Sequence, residues 1–382
     1  MTRAPGKTFR QLLVLHPAFA LTGIFLSVNG PLLPSLASTF HLIDSESGLL
    51  IFLFFAGTSV GATLCRGNYA RLMTVGFLLT VACCLGIAVA DRTFIFPLFF
   101  LLGISIGLPL STVSLFVGRN FAERCAPTLT FLNFTWSAGA LGAPLLVAPL
   151  LAHHYGFRAA YLGLAAISLL AALGCGLFLE DNKEEAVRPV QQVQGLANLR
   201  LIVLFALMAF LEVGIEDTAV AWLATYSLRS SGGGLAAAAA SSSLYWCGFL
   251  ASRGISSLLL LRVAAMRVLY GAVGIALAAA VLLASFPAGV GRGLAMVLLG
   301  AALAPIFPLV LSTLFARARK TSDARWAMAF AGFGGSTLPL VTGWISARSG
   351  SLCLGLITVP ISLLFMGCLL LISGNRSCSS AD

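Results

Sequence analysis

Twelve stretches of apolar sequence, each about as long as a bilayer-spanning helix, follow one another along the chain. They run over 12–40, 46–66, 70–90, 94–117, 127–152, 158–179, 197–226, 235–257, 263–286, 291–316, 325–347 and 351–373. A helix needs roughly 20 apolar residues to cross the hydrocarbon core of a bilayer. The pattern therefore predicts an all-α membrane protein with twelve transmembrane helices and short connections. Composition agrees, because only 9% of the 382 residues are charged, against about 25% in soluble domains. A soluble enzyme could not shield so much apolar surface from water, so the lipid bilayer is the first expected partner.

The charge balance is +10, which in a soluble chain would suggest nucleic acid. Here its placement explains it. Cytoplasmic loops of membrane proteins retain Lys and Arg, and with both termini inside only Arg92, Arg158, Arg229, Arg292 and Arg348 fall outside. The remaining 18 of the 23 basic residues fall inside. An integral protein of the plasma (inner) membrane with both ends cytoplasmic is expected, with no nucleic-acid partner. The first run follows Arg3, Lys7 and Arg10 but is too long for a signal peptide and contains Pro31 and Pro34, so it is expected to stay. Nine cysteines, an odd count mostly inside apolar runs, indicate structural thiols and neither a disulfide framework nor a metal site.

The longest polar stretch begins at Glu180-Asp181-Asn182-Lys183 and reaches Gly195. It divides the chain into an N-terminal six-helix bundle (1–180), a cytoplasmic linker (181–196) and a C-terminal six-helix bundle with a short tail (197–382). The halves resemble each other. Arg66-Gly67 ends the second run as Arg253-Gly254 ends the eighth, and Leu101-Leu102-Gly103 echoes Leu298-Leu299-Gly300. Gly142-Ala143-Pro144-Leu145 likewise parallels the stretch from Gly335 to Pro339-Leu340. Paired repeats of this kind place a solute site at their interface near mid-membrane, so two pseudo-symmetric bundles are expected.

These features resemble the major facilitator superfamily of secondary transporters. Its signature between helices 2 and 3 is a glycine, an Asp-Arg pair and further basic residues, matched here by Gly61, Arg66 and Arg71. The resemblance implies a cytoplasmic conformational latch at these positions, with Arg253 as the counterpart in the second half. Cys65 stands where the aspartate would be, which leaves the latch's charge relay without its acid. Within the superfamily the second half is similar to the fucose-proton symporter and sodium-dependent glucose transporter group. The stretch Phe210-Leu211-Glu212-Val213-Gly214-Ile215-Glu216, followed by Trp222 and Tyr226, carries that likeness, as does Ala304-Pro305-Ile306-Phe307-Pro308. Glu216 matches the group's pattern and Glu212 departs from it.

Ten of the 13 acids lie in loops, ends or the tail; Glu212, Glu216 and Asp217 lie in the seventh run. An ionised carboxylate near mid-membrane costs at least roughly 2.5–3.5 kcal/mol. No lysine or arginine is expected at comparable depth to neutralise them. At 100° per residue Glu212 and Glu216 are about 40° apart on one helix face, whereas Asp217 points about 140° away. Burial and like-charge proximity would be relieved by one proton shared between the pair. They are thus candidate sites for proton or cation coupling, with structural hydrogen bonding the plainer alternative. Asp217 is expected to have a structural or interfacial role.

Carboxamides inside apolar runs are scarce: Asn29 and Asn133, and no glutamine. An amide donates and accepts at once, which suits a hydroxyl-rich ligand, although interhelical bonding would use it equally well. Trp136 lies near Asn133 on its helix face and offers a ring for the apolar face of a sugar. Trp246 and Phe307 are further solute-binding candidates, with Phe307 between two prolines placed to gate. Tyr226, with Trp222, falls at a helix end where aromatic anchoring in the membrane interface competes as an explanation.

No phosphate-loop motif is present, and no His-Glu-x-x-His metal helix, which argues against ATP-driven transport and metal catalysis. The four histidines are expected near helix ends. The chain is expected to be no enzyme and to need no cofactor. The reading is a monomeric secondary active transporter that moves a small polar solute, a monosaccharide, by alternating access coupled to H+ or Na+. A proton-driven exporter of amphipathic compounds and a non-transporting receptor or scaffold are the alternatives.

Overall fold

The computed structural model describes residues 5–121, 125–181, 199–286, 288–317 and 321–378, which form helices joined by turns, with no strand among them. The first half contains α1 (Pro5–Phe40), α2 (Asp44–Thr63), α3 (Tyr69–Val89), α4 (Ile95–Asn120), α5 (Cys125–Ala152) and α6 (Gly156–Phe178). The second contains α7 (Leu199–Ser231), α8 (Leu235–Ser241), α9 (Ser243–Leu259), α10 (Ala265–Ser285), α11 (Gly289–Leu303), α12 (Ile306–Arg317), α13 (Thr321–Ser349), α14 (Leu352–Gly355) and α15 (Thr358–Cys378). Every predicted run is helical. The eighth, tenth and twelfth are each broken in two: α8 and α9, α11 and α12, α14 and α15. The break in the tenth falls at Pro305, which lacks the amide proton that would continue the ladder. Ten spans among the described residues are long and apolar enough to cross a membrane. The other two long helices are α7, which carries the three carboxylates, and α13.

The residues gather into two compact units. One holds α1, α3 to α6 and α2 from Leu53 onward; the other holds α7 to α15 and the stretch Leu42–Phe52. The start of α2 thus packs with the second half. It does so because small residues meet: Gly48 lies against the backbone of Pro339 and Leu340, and a side chain on Gly343 would press on the carbonyl of Asp44. The polar segment from Asn182 to Gly195 lies outside the described residues.

Paired glycines expose the internal repeat within each unit. Gly57 and Gly103 let α2 and α4 meet backbone to backbone: a Cβ on either would collide with the other helix's carbonyl, Phe100 O or Phe54 O. Gly248 and Gly300 do the same for α9 and α11 against Val297 O and Tyr245 O. Gly23 and Gly139 bring α1 to α5, as Gly214 and Gly334 bring α7 to α13. Gly103 and Gly300 are the residues that close the echoing Leu-Leu-Gly sequences, so that sequence likeness marks equivalent helix crossings.

Candidate functional site

The centre of the second unit is acidic. Glu212 in α7 has no exposed surface, and neither of its carboxylate oxygens accepts a hydrogen bond. Glu216, one turn on, lies close enough to interact carboxyl to carboxyl without reaching hydrogen-bond geometry, and it keeps some accessible surface. Asp217 also acts electrostatically on Glu212 and on its neighbour Glu216. Its carboxylate rests against Gly335 of α13, where any side chain would collide with it. The expectation that Asp217 points away into a purely structural role is incomplete, because it belongs to the same charge cluster.

A second correction concerns Arg253. The sequence reading set it at a helix end and expected no cation near the acids. In the structure it lies inside α9, stacks over the Phe249 ring at 4.8 Å, and interacts with both Glu212 and Glu216. The reason is register. Arg66 follows the crossing glycine Gly57 by nine residues, whereas Arg253 follows Gly248 by five. Four residues of helix are about 6 Å, so Arg253 sits one turn nearer the crossing than its apparent sequence counterpart. Tyr245, on the same helix, is fully buried, interacts with all three carboxylates and has no hydrogen-bond partner for its hydroxyl. Sequence reasoning missed it as a site residue.

The remaining predicted residues divide. Trp246 is buried and packs edge-on against Tyr245 and Phe249, with centroids 5.3 and 5.2 Å away. Phe307 is half-buried in the first turn of α12, directly after the break at Pro305. Tyr226 is buried, and its hydroxyl donates to Leu283 O of α10 at 2.9 Å; Trp222 Nε1 likewise donates to Pro339 O of α13 at 3.1 Å. Both rings are held by backbone carbonyls of neighbouring helices.

In the first unit Asn29 is buried, accepting from the Tyr161 hydroxyl of α6 at 2.9 Å, so its amide is spent on a helix–helix bond. Asn133 is exposed and Trp136 half-buried, one turn apart on α5. The helices run past the apolar stretches, which changes two expectations. Gln11 lies within α1 and its Nε2 donates to Glu180 O at 3.3 Å. His16 lies well inside α1 too, with Nδ1 3.2 Å from Thr135 Oγ1 and its ring edge-on to Phe131 at 4.7 Å.

The latch residues are also clear. Gly61 is a close-packing position, since a Cβ there would strike Ile104 O of α4. Arg66 and Arg71 are exposed. Cys65 turns inward, its thiol 3.2 Å from Thr112 Oγ1 and 3.6 Å from Leu108 O. An acid does lie nearby: Asp181 Oδ2 accepts from the Tyr69 backbone N–H at 2.7 Å and from Arg119 Nη1 at 3.0 Å. Arg119 in turn covers the Tyr69 ring at 4.0 Å. No group of three His, Cys, Asp or Glu among the described residues is arranged to hold a metal ion.

The same architecture recurs in solved structures. A bacterial homologue of the human lysosomal transporter Spinster superposes with a TM-score of 0.73 at 16% identity, covering 97% of this chain and 96% of that one. A D-xylose–proton symporter gives 0.76 at 14% identity, over 94% and 97%. The fucose:proton symporter of E. coli gives 0.61 at 20% identity, over 95% and 98%. None of the curated proteins matches the chain by sequence. The family model of the Major Facilitator Superfamily matches residues 15–325. With twelve membrane spans in two repeated halves and that match over most of its length, the chain belongs to the Major Facilitator Superfamily.

Proposed function

We propose that the protein is a proton-coupled secondary transporter of a small polar solute, with a monosaccharide as the leading class. The observation that carries the coupling is Glu212, a carboxyl with no exposed surface and no hydrogen bond, one helix turn from a second carboxyl, Glu216, with which it interacts. A charge so placed is expensive in the membrane, and a proton removes it. Arg253 supplies one positive charge to the pair, so one shared proton leaves Glu212, Glu216 and Arg253 together neutral. Loss of that proton leaves a net charge, which favours contact with water over closure. Sugar as cargo is supported by the helix 7 likeness and by the D-xylose and fucose symporters that share the fold.

Uptake of labelled hexoses and deoxyhexoses into proteoliposomes, under an imposed proton gradient, a sodium gradient or neither, tests the reading. Saturable accumulation driven by protons alone is expected, with accumulation abolished and exchange retained in Glu212→Gln/Glu216→Gln. Accumulation by that double variant equal to the unaltered chain overturns the coupling assignment, and accumulation driven by sodium alone replaces the proton.

A further inference from the structure

In the first unit an imidazole lies inside a membrane span. His16 follows Phe9, where the apolar span of α1 begins, by seven residues, which is about 10 Å of helix. Its ring reaches α5, where Nδ1 lies 3.2 Å from Thr135 Oγ1. That hydroxyl donates its one proton to Leu132 O at 2.8 Å. A carbonyl oxygen cannot donate, so Thr135 has no proton left for the ring and must accept from it. The ring proton of the neutral imidazole is therefore on Nδ1, and the lone pair is on Nε2.

Nε2 has no hydrogen-bond partner among the described residues, and the ring is half-buried. A histidine in a membrane helix is costly against lipid and faces the bundle interior or a water-filled path. The exposed side chains beside it are aromatic. Phe131 meets the imidazole edge-on at 4.7 Å, and the Phe134 ring lies nearly parallel to Phe131 with centroids 6.4 Å apart. An acceptor next to aromatic surface suits a ligand that has hydroxyls and an apolar face. Asn133 and Trp136, the solute candidates of α5, lie within two residues of Thr135, whereas Asn29 of α1 is committed to Tyr161. Joining α1 to α5 uses Nδ1 alone and gives Nε2 nothing to do.

We propose that His16, oriented by Thr135, is a solute-binding residue of the first unit, and that its Nε2 accepts a hydrogen bond from a hydroxyl of the transported sugar. This rests on the monosaccharide reading above and specifies the polarity of one contact. Because Nε2 carries no proton, the contact selects a donor. A hydroxyl satisfies it; a hydrogen or a fluorine in the hydroxyl's place does not.

Two measurements in proteoliposomes test the contact. Diethyl pyrocarbonate acylates an unprotonated imidazole nitrogen, and in a chain carrying His41→Gln, His153→Gln and His154→Gln the one remaining histidine is His16. Peptide mass spectrometry is expected to find His16 acylated, about tenfold more slowly under saturating glucose or fucose. An unreactive His16, or one that neither sugar protects, overturns the inference. Equilibrium counterflow then reads the bond, with glucose and fucose and their monodeoxy and deoxyfluoro analogues as probes. At one carbon both analogues are expected to compete about tenfold less well than the parent sugar. His16→Asn keeps an N–H in the place of Nδ1 and removes Nε2, so the parent should fall to within about twofold of those analogues while the thermal midpoint stays unchanged. Fluoro analogues that compete as well as the parent at every carbon, or a His16→Asn chain that discriminates as before, overturn the inference and leave the sugar reading standing. Exchange of neither sugar by the unaltered chain overturns both.

Discussion

The guanidinium of Arg229 holds the carboxylate of Asp44 by two hydrogen bonds, Nη1 to Oδ2 at 2.7 Å and Nη2 to Oδ1 at 2.5 Å. Ser346 donates a third, at 2.5 Å. One carboxylate at the first residue of α2 is thereby tied to the last turn of α7 and to α13. The close approach of Gly48 to Leu340 continues the same seam.

Arg229 is partly exposed, so its pair alone is worth about 0.2–1 kcal/mol, to which the charge-assisted serine bond adds. Arg229→Ala is expected to speed amide exchange across 44–52 by about fivefold, equivalent to about 1 kcal/mol. Unchanged exchange there would show that the glycine packing alone seats this end of α2.

Arg253 is expected to be more damaging to remove than to remove together with an acid. Breaking a buried charge pair costs about 3–5 kcal/mol, because the partner is left uncompensated. Arg253→Gln should therefore lower the thermal midpoint in detergent, and Arg253→Gln/Glu216→Gln should recover at least half of the loss. A double variant as unstable as the single one would place Arg253 outside the acid cluster's energetics.

The crossing glycines are expected to be intolerant where a neighbouring glycine is not. A Cβ on Gly300 collides with Tyr245 O, while a Cβ on Gly254 meets nothing within 4 Å. Gly300→Ala should destabilise by about 2 kcal/mol or more, since two backbones must separate, and should displace Tyr245 from the acids. Gly254→Ala should leave the thermal midpoint unchanged, and an equal loss in both would refute the crossing argument.

At the α2–α3 turn, restoring the acid of the family signature is expected to harm. Cys65 Sγ lies 3.7 Å from Gly61 O and 3.6 Å from Leu108 O, so Cys65→Asp sets a carboxylate against two carbonyl oxygens. Asp181 already holds Arg119 and the first N–H of α3. Cys65→Asp should lower stability and should not rescue Asp181→Ala; rescue would show that the two positions are interchangeable.

Burial also pushes the Cys65 thiol above its ordinary pKa. The thiolate is the reactive form, so in a variant keeping only this cysteine, maleimide labelling near neutral pH should lag a peptide thiol by more than about threefold. Because a raised pKa leaves less thiolate at neutral pH and full ionisation only at higher pH, the gap should close as pH rises. A constant ratio across pH would indicate limited access instead.

Much of the fold is legible before any coordinates. Apolar runs of bilayer length require helices, because backbone groups in lipid must bond within their own segment. The Leu-Leu-Gly echo at Gly103 and Gly300 is legible too, since both glycines are forced by equivalent close crossings. The acids of α7 stand out because so few charges occur within the runs. Asn29 and Tyr226 were less readable: an isolated polar side chain in a helix carries no mark telling whether Tyr161, a backbone carbonyl or a solute will meet it.

Sequence alone therefore determined the class of protein, its twelve spans, the duplicated halves and the presence of costly carboxylates in one helix. The tertiary structure decided which charges meet. Arg253 and Arg66 look equivalent along the chain, but depth is counted from where helices cross, and one turn of difference takes Arg253 to the acids while Arg66 stays in the open. The same holds for Asp181, which meets Tyr69 N–H and Arg119 from positions far along the chain. Local sequence specifies helices through their own backbone bonds, whereas charge neighbourhoods depend on helix register, which only packing fixes.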